Sequence, residues 1–299
     1  MPELPDLTIV AEAFQAALAG RRIESAVSHA PLAVRGTPAE LAALVGRRVE
    51  AVTQRGKFLL IELDRDRLVF NPMLTGRFQL AAPGAKLPSK TALVLGFGAR
   101  PAAPAGKPAH RSGTPRAAWT RAAPWLPGDE DPVEIRYRDP TQMGKVYLVP
   151  EGVARPIPGL DDDLGPDADD PGLTLAVWRE RIRRHPGELK NLLKNQAFIA
   201  GIGNAYSDEI LHAARLLPFR RRATLAPEEV DALHAATGMT LANAIQVLRR
   251  RVPPTFETQV RDFLAVHNKG GQACPRCGTR ISEVSPGGFV TSFCRGCQR

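Results

Sequence analysis

The amino-acid sequence predicts an α+β protein of several domains: an N-terminal β-sandwich led by one helix, a C-terminal helical domain, and a zinc-finger hairpin at the end. Three observations carry this. Short β-rich runs fill the stretch from Arg47 to Leu80 and return in TALVLGF and EIRYRDP, helical periodicity takes over after residue 172, and all four cysteines fall near the C-terminus. At 299 residues the chain is long enough to bury two cores without disulfide staples.

The elements follow in order. After Pro5, the apolar residues Leu7, Val10, Phe14 and Leu18 recur at helical spacing, and Gly20 supplies a stop. The runs VEAVTQ, KFLLIEL, RLVFNPML and GRFQL, broken at Gly56 and Gly76, read as strands. Residues 99–132 are rich in Pro, Ala and Arg without an apolar period, so they are expected to form a disordered basic insertion in a domain spanning 1–155. The stretch IPGLDDDLGPDADDPG predicts a linker over 156–172. The segments LTLAVWRERIRR, ELKNLLKNQAF, AYSDEILHAARL and PEEVDALHAATGMTLANAIQVLRRR then predict helices within a domain over 173–265, with a cysteine module over 266–299.

Forty Lys and Arg against thirty-one Asp and Glu give a net charge of +9, which favours a polyanionic partner, nucleic acid ahead of an anionic membrane surface. No apolar run approaches the ~20 residues of a membrane span, and the first residues lack the basic start of a signal peptide. A cytoplasmic protein with no membrane partner is the expectation.

Four motifs bear on chemistry. Removal of Met1 would leave Pro2 as a secondary amine at the start of a helix. An α-amine with a pKa of ~7.8 is neutral roughly 400 times more often near pH 7 than a lysine at ~10.4. Such an amine can attack an aldehydic carbon such as a sugar C1′ and form an iminium ion, with Glu3 as the nearest proton carrier. Taken alone, MPE is more simply just how a chain starts, and other residues must raise the odds. The segment Gly201-Ile202-Gly203 joins two helices with Asn204 as expected N-cap, a turn suited to a phosphate or to an ordinary helix hairpin. Cys274 and Cys277, with Cys294 and Cys297 after a further sixteen residues, match a four-thiolate structural zinc site, another metal or a redox pair being the alternatives. Lys57 opens a strand after Gly56, where a surface lysine is also ordinary.

In their order along the chain, PELPD, RGKFLL, MLTGRF, RYRDP, LGPD, GIGNAYSDEIL, VRDF and CPRC…CRGC make the chain resemble the formamidopyrimidine-DNA glycosylase / endonuclease VIII (Fpg/Nei) family of base-excision-repair enzymes. The resemblance implies a β-sandwich and a helix-two-turn-helix domain with a zinc finger, clamping damaged DNA, duplex or single-stranded, as a monomer. It implies a DNA glycosylase with AP lyase activity. Pro2 is then the Schiff-base nucleophile, Glu3 the acid/base and Lys57 a phosphate and proton-transfer residue. Lys190 and Asn204 become DNA contacts, and the zinc stays outside the chemical step.

Three departures qualify the resemblance. Thr141-Gln142-Met143-Gly144 stands where one branch of the family has Arg-Arg-Phe-Gly, leaving Leu74 and Met143 as apolar wedges beside a flipped base. Phe289 stands at the finger tip where the family carries a phosphate-gripping arginine. LAVHNKGG leaves little room for the lobe that caps an oxidised guanine. A non-excising DNA-damage-binding protein on the same scaffold is the alternative these departures allow.

Overall fold

A computed structural model describes residues 1–101, 123–285 and 288–299. They form two compact units. The first comprises Met1–Pro2, Asp6–Pro156 and Arg251–Gln259, and the second Glu3–Pro5, Ile157–Arg250 and Val260–Arg299.

The first unit holds most of α1 (Leu4–Leu18) and two sheets. One contains β1 (Ile23–Ser28), β6 (Arg77–Ala81), β7 (Thr91–Phe97) and β8 (Val133–Arg138) in the order β1-β7-β8-β6. The other contains β2 (Val34–Arg35), β3 (Val49–Arg55), β4 (Phe58–Leu63), β5 (Arg67–Asn71) and β9 (Lys145–Val149) in the order β2-β9-β5-β4-β3. All pairings are antiparallel except β2 with β9. The short α2 (Pro38–Ala42) is closed by a Thr37–Glu40 capping box. Strands β1 and β9 extend the sheets beyond the runs that the sequence marked.

The two sheets meet through aromatic rings. Phe70 of β5 lies 5.5 Å from Phe78 of β6 and 5.6 Å from Tyr137 of β8, and Phe14 of α1 lies 5.8 Å from Phe78, mostly edge to face. Such contacts add ~0.5–1.5 kcal/mol each beyond the area they bury. Phe256 joins this cluster at 6.0 Å from Phe14, which is why Arg251–Gln259 groups with the sheets and not with the helical part.

The centre of the expected insertion, 102–122, lies outside the described residues. Its feet are anchored. Buried Arg21 donates to the carbonyls of Ala17 and Gly98 (both 2.8 Å), Asp131 (2.7 Å) and Gly128 (2.6 Å), and Arg100 pairs with Asp129 at 3.0 Å.

The second unit contains α3 (Leu175–Arg184), α4 (Leu189–Lys194), α5 (Asn204–Ala213) and α6 (Pro227–Arg251), packed around Trp178, Phe198, Tyr206 and Leu233. The expected linker over 156–172 is docked along its later part: Gly165 N donates to Gln196 O (2.8 Å), Ala168 N to Ala200 O (3.0 Å), and Ala200 N to Pro166 O (2.8 Å). The LGPD motif needs its glycine because a Cβ at Gly165 would come within 2.6 Å of Ala197 O.

Helix α4 ends at Lys194, short of the ELKNLLKNQAF segment expected to be helical. Asn195 turns its side chain back to accept from Ala197 N at 3.0 Å, the local competition that makes Asn a helix breaker. Strands β10 (Ser282–Val284) and β11 (Thr291–Phe293) form the finger hairpin. No helix among the described residues is long and apolar enough to cross a membrane.

Candidate active site and nucleic-acid interface

Within the helical unit, the start of the chain is held by the Gly-Ile-Gly turn. Glu3 is buried, and its carboxylate accepts from the backbone N–H of Gly203 (2.6 Å), Ala205 (2.9 Å) and Tyr206 (3.3 Å) at the N-terminus of α5. Leu4 N donates to Gly201 O at 2.9 Å. Both glycines are clearance. A Cβ at Gly201 (φ +97°) would lie 2.6 Å from Leu4 Cβ, and one at Gly203 would lie 2.6 Å from Glu3 Cδ.

This corrects the expectation for the turn. The N-cap residue is Gly203, Asn204 is the first helical residue, and the amides expected to face a phosphate are taken by Glu3. A carboxylate serves the helix dipole better than a neutral amide, and it can arrive from a segment two hundred residues away. Asn204 instead donates Nδ2 to Val290 O at 2.7 Å, and its buried Oδ1 has no hydrogen-bond partner.

Lys190 is tied to α5 and to the finger hairpin. It is only 5% exposed, and its ammonium donates to Asp208 Oδ1 (2.7 Å), Val290 O (2.8 Å) and Thr291 Oγ1 (2.9 Å). An ammonium has three N–H donors, and these three partners take them all. Burial lowers the Lys190 pKa, opposed by the Asp208 charge.

The sequence did not reveal that Asp208 and Glu209 anchor the finger. Asp208 Oδ2 accepts from Ser292 N (3.2 Å) and contacts His267 Nδ1 (2.8 Å), while Glu209 accepts from the amides of Ala265, Val266 and His267 at 2.7–2.9 Å. The available signal was two adjacent acids preceding Ile210 and Leu211, a position where an unpaired acid would be costly. Phe289, 57% exposed, sits with its ring 4.8 Å from Lys194 Nζ. Asn204, Lys190 and the Phe289–Val290 step of the finger are thus brought together.

In the β unit, Pro2 is buried, and the Met1 carbonyl accepts from Gln259 Nε2 at 3.0 Å. Arg77 donates to Gln259 Oε1 (3.1 Å) and to Gly76 O (2.8 Å). A cavity of about 20 Å³, lined by Pro2, Asp6, Gly76, Arg77 and Gln259 among others, has room for about one water. Lys57 lies partly exposed on the β3–β4 turn after Gly56 (φ +56°). Leu74 and Met143 stand exposed on the β5–β6 and β8–β9 loops.

The four cysteine sulfurs lie within 4.8 Å of one another. Cys277 and Cys294 are 3.4 Å apart, and Cys274 and Cys297 are 3.9 Å apart. Sulfurs at the vertices of a tetrahedron around zinc, each at ~2.3 Å, are separated by ~3.8 Å, so the set fits that ion. His212, from α5, places Nε2 3.3 Å from Cys274 Sγ, and Arg276 donates to His212 O at 2.6 Å. This outer partner carried no spacing signal.

The N-terminal domain model of formamidopyrimidine-DNA glycosylase matches residues 1–146, and the H2TH domain model of the same enzyme matches residues 164–252. A formamidopyrimidine-DNA glycosylase of Symbiobacterium thermophilum is 30% identical over 100% of this chain and 89% of its own. The chain belongs to the formamidopyrimidine-DNA glycosylase (Fpg/Nei) family. An Exiguobacterium sibiricum Fpg is 29% identical over 100% of this chain and 99% of its own. Among solved structures, a Lactococcus lactis Fpg mutant in complex with Fapy-dG-containing DNA superposes with a TM-score of 0.80 at 24% identity, covering both chains fully. The same organism's Fpg with abasic-site DNA gives 0.80 at 24% over 99% of each chain. The likeness is one of fold: an N-terminal β-sandwich and a C-terminal H2TH domain, as expected for the Fpg/Nei family.

Proposed function

We propose that this protein is a DNA glycosylase of base-excision repair that also cleaves the strand at abasic sites, with the Pro2 amine as nucleophile. The repair role follows from full-length relatives that carry the glycosylase name. The finer reading is carried by one observation: a carboxylate, three backbone N–H groups and two clearance glycines hold the residues beside Pro2 in one place. A chain start without a task needs no such clamp.

In this reading, loss of Met1 frees the Pro2 nitrogen, which attacks C1′ as the damaged base departs. The iminium that follows acidifies the C2′ hydrogen, and its removal expels the 3′ phosphate. Glu3, next in the chain, carries the proton, and Lys57 contacts phosphate. Leu74 and Met143 fill the space left by the extruded base, and Phe289 offers a flat apolar face to an unstacked one. Cys274, Cys277, Cys294 and Cys297 hold one zinc ion, which cross-links the finger hairpin.

Borohydride trapping on labelled oligonucleotides tests this. A covalent adduct with abasic-site DNA that disappears when the N-terminal amine is acylated and weakens in Pro2→Gly, which keeps a primary α-amine, is expected, together with a mature mass lacking Met1. An adduct that survives acylation of the N-terminus would transfer the chemistry to another amine. No adduct on any lesion, with DNA binding retained, would make the protein a damage-binding scaffold.

A further inference from the structure

Two loops of the β unit each lift one apolar side chain into solvent, Leu74 at 42% exposure and Met143 at 46%. The loops are built alike. Leu74 follows Met73 (φ +47°) and Met143 follows Gln142 (φ +56°), both non-glycine residues in the left-handed region, which is held only where surrounding bonds over-determine it. The residue after each side chain, Thr75 or Gly144, is bound to the same carboxylate.

That carboxylate belongs to Asp139, which is fully buried. Its Oδ1 accepts from Thr75 Oγ1 at 2.5 Å and from Thr141 Oγ1 at 3.2 Å, and its Oδ2 accepts from Gly144 N at 2.7 Å. Thr141 N donates to Thr75 Oγ1 at 3.3 Å, which knits the loops further. Lys145 Nζ closes the Met143 loop by donating to the carbonyls of Gln142, Met143 and Gly144, each at 3.1 Å. Below lies the Tyr137 hydroxyl. A Cβ at Gly76 would come within 2.5 Å of it, and one at Gly144 would also collide with it, so both loops close down where only glycine fits.

We propose that Asp139 is the positioning residue that makes Leu74 and Met143 one two-pronged wedge, so that both enter a damaged duplex together and hold open the space of the extruded nucleotide. This rests on the glycosylase reading above. Unstacking a base step costs a few kcal/mol. A prong ordered only on contact would add the entropy of fixing its loop to that cost, whereas a prong held beforehand adds none. Two prongs tied through one carboxylate act as a unit, so losing either should cost about as much as losing both.

The test uses the full chain, a duplex containing an uncleavable tetrahydrofuran abasic analogue, and 2-aminopurine beside it as a reporter of unstacking. Leu74→Ala, Met143→Ala and the double variant are measured with and without Asp139→Asn. The expected result is strong non-additivity with Asp139 present. With Asp139→Asn the two effects become additive, and opening falls roughly tenfold, the scale of one charge-assisted hydrogen bond. Cleavage of a single-stranded abasic oligonucleotide, which needs no wedge, should stay within about twofold. Thr75→Val removes one tie and leaves Gly144 bound, so it should reproduce the decoupling if Asp139→Asn folds poorly.

If Leu74→Ala and Met143→Ala leave opening unchanged, the wedge reading itself fails. If they reduce opening but remain coupled in both Asp139→Asn and Thr75→Val, the positioning role of Asp139 is overturned. Equal loss on duplex and single strand would overturn it as well, by showing general damage to the protein.

Discussion

Gly203→Ala is expected to destabilise the helical unit by about 3 kcal/mol, although it adds a single methyl group. The new Cβ would lie 2.6 Å from Glu3 Cδ and 2.7 Å from Oε1, about 0.8 Å inside ordinary van der Waals contact. The carboxylate must retreat by that distance. Its bonds at 2.6 and 2.9 Å to Gly203 N and Ala205 N then stretch to roughly 3.4 and 3.7 Å, weakening the first and breaking the second, which leaves a buried N–H unsatisfied. A charge-assisted bond contributes ~1.5–3 kcal/mol and a helix cap ~1–2 kcal/mol, which overlap here and set the ~3 kcal/mol scale. Gly238→Ala provides the control: nothing lies within 4 Å of its Cβ, and in the interior of α6 alanine should stabilise by ~0.5–1 kcal/mol. Thermal unfolding by calorimetry reads both, at roughly 3 °C per kcal/mol for a unit of this size. A Gly203→Ala protein as stable as wild type would refute the commitment of Glu3 to the α5 N-terminus.

Lys190→Met should cost ~3 kcal/mol in chemical denaturation, because buried Asp208 would lose its ammonium partner and keep only Ser292 N and His267. The slope of log affinity for DNA against log salt should not change, whereas a drop of about one unit would restore Lys190 as a phosphate contact. The purified protein should carry one zinc ion per chain by plasma mass spectrometry, and chelation should expose the hairpin to proteolysis; a full complement of zinc in Cys277→Ala would remove that cysteine from the ligand set. Arg21→Met should lower β-unit stability by ~2–4 kcal/mol in urea, since it strips the donors from four carbonyls. An unchanged midpoint would mean that the feet of the insertion hold without it.

Much of the helical half was legible because its signal is local. Apolar period, a Pro at the start of α6 and the two CxxC pairs each act within a few residues, and the corresponding elements lie where expected. The structure departs from the sequence expectation where a side chain takes a bond that its own motif does not announce. The α4 boundary turned on Asn195 accepting from Ala197 N, two residues on, instead of continuing the helix, and the amides at the start of α5, whose N-cap is Gly203, went to Glu3 and not to Asn204. The partners of Lys190 carried no signal, because nothing near it in sequence announces Asp208 and Thr291.

The sequence by itself determined the family, the order of its parts and the four thiolates, since motif order and short spacings survive without coordinates. Only the tertiary structure decided what the motifs are for. It turned Gly201 and Gly203 into clearance for Leu4 and Glu3, Lys190 into a tie between helix and finger, and Asp139 into the joint of two loops. The physical reason is the same in each case. A buried charge must find its partners wherever the fold brings them, and those partners here lie from a few residues to two hundred away along the chain.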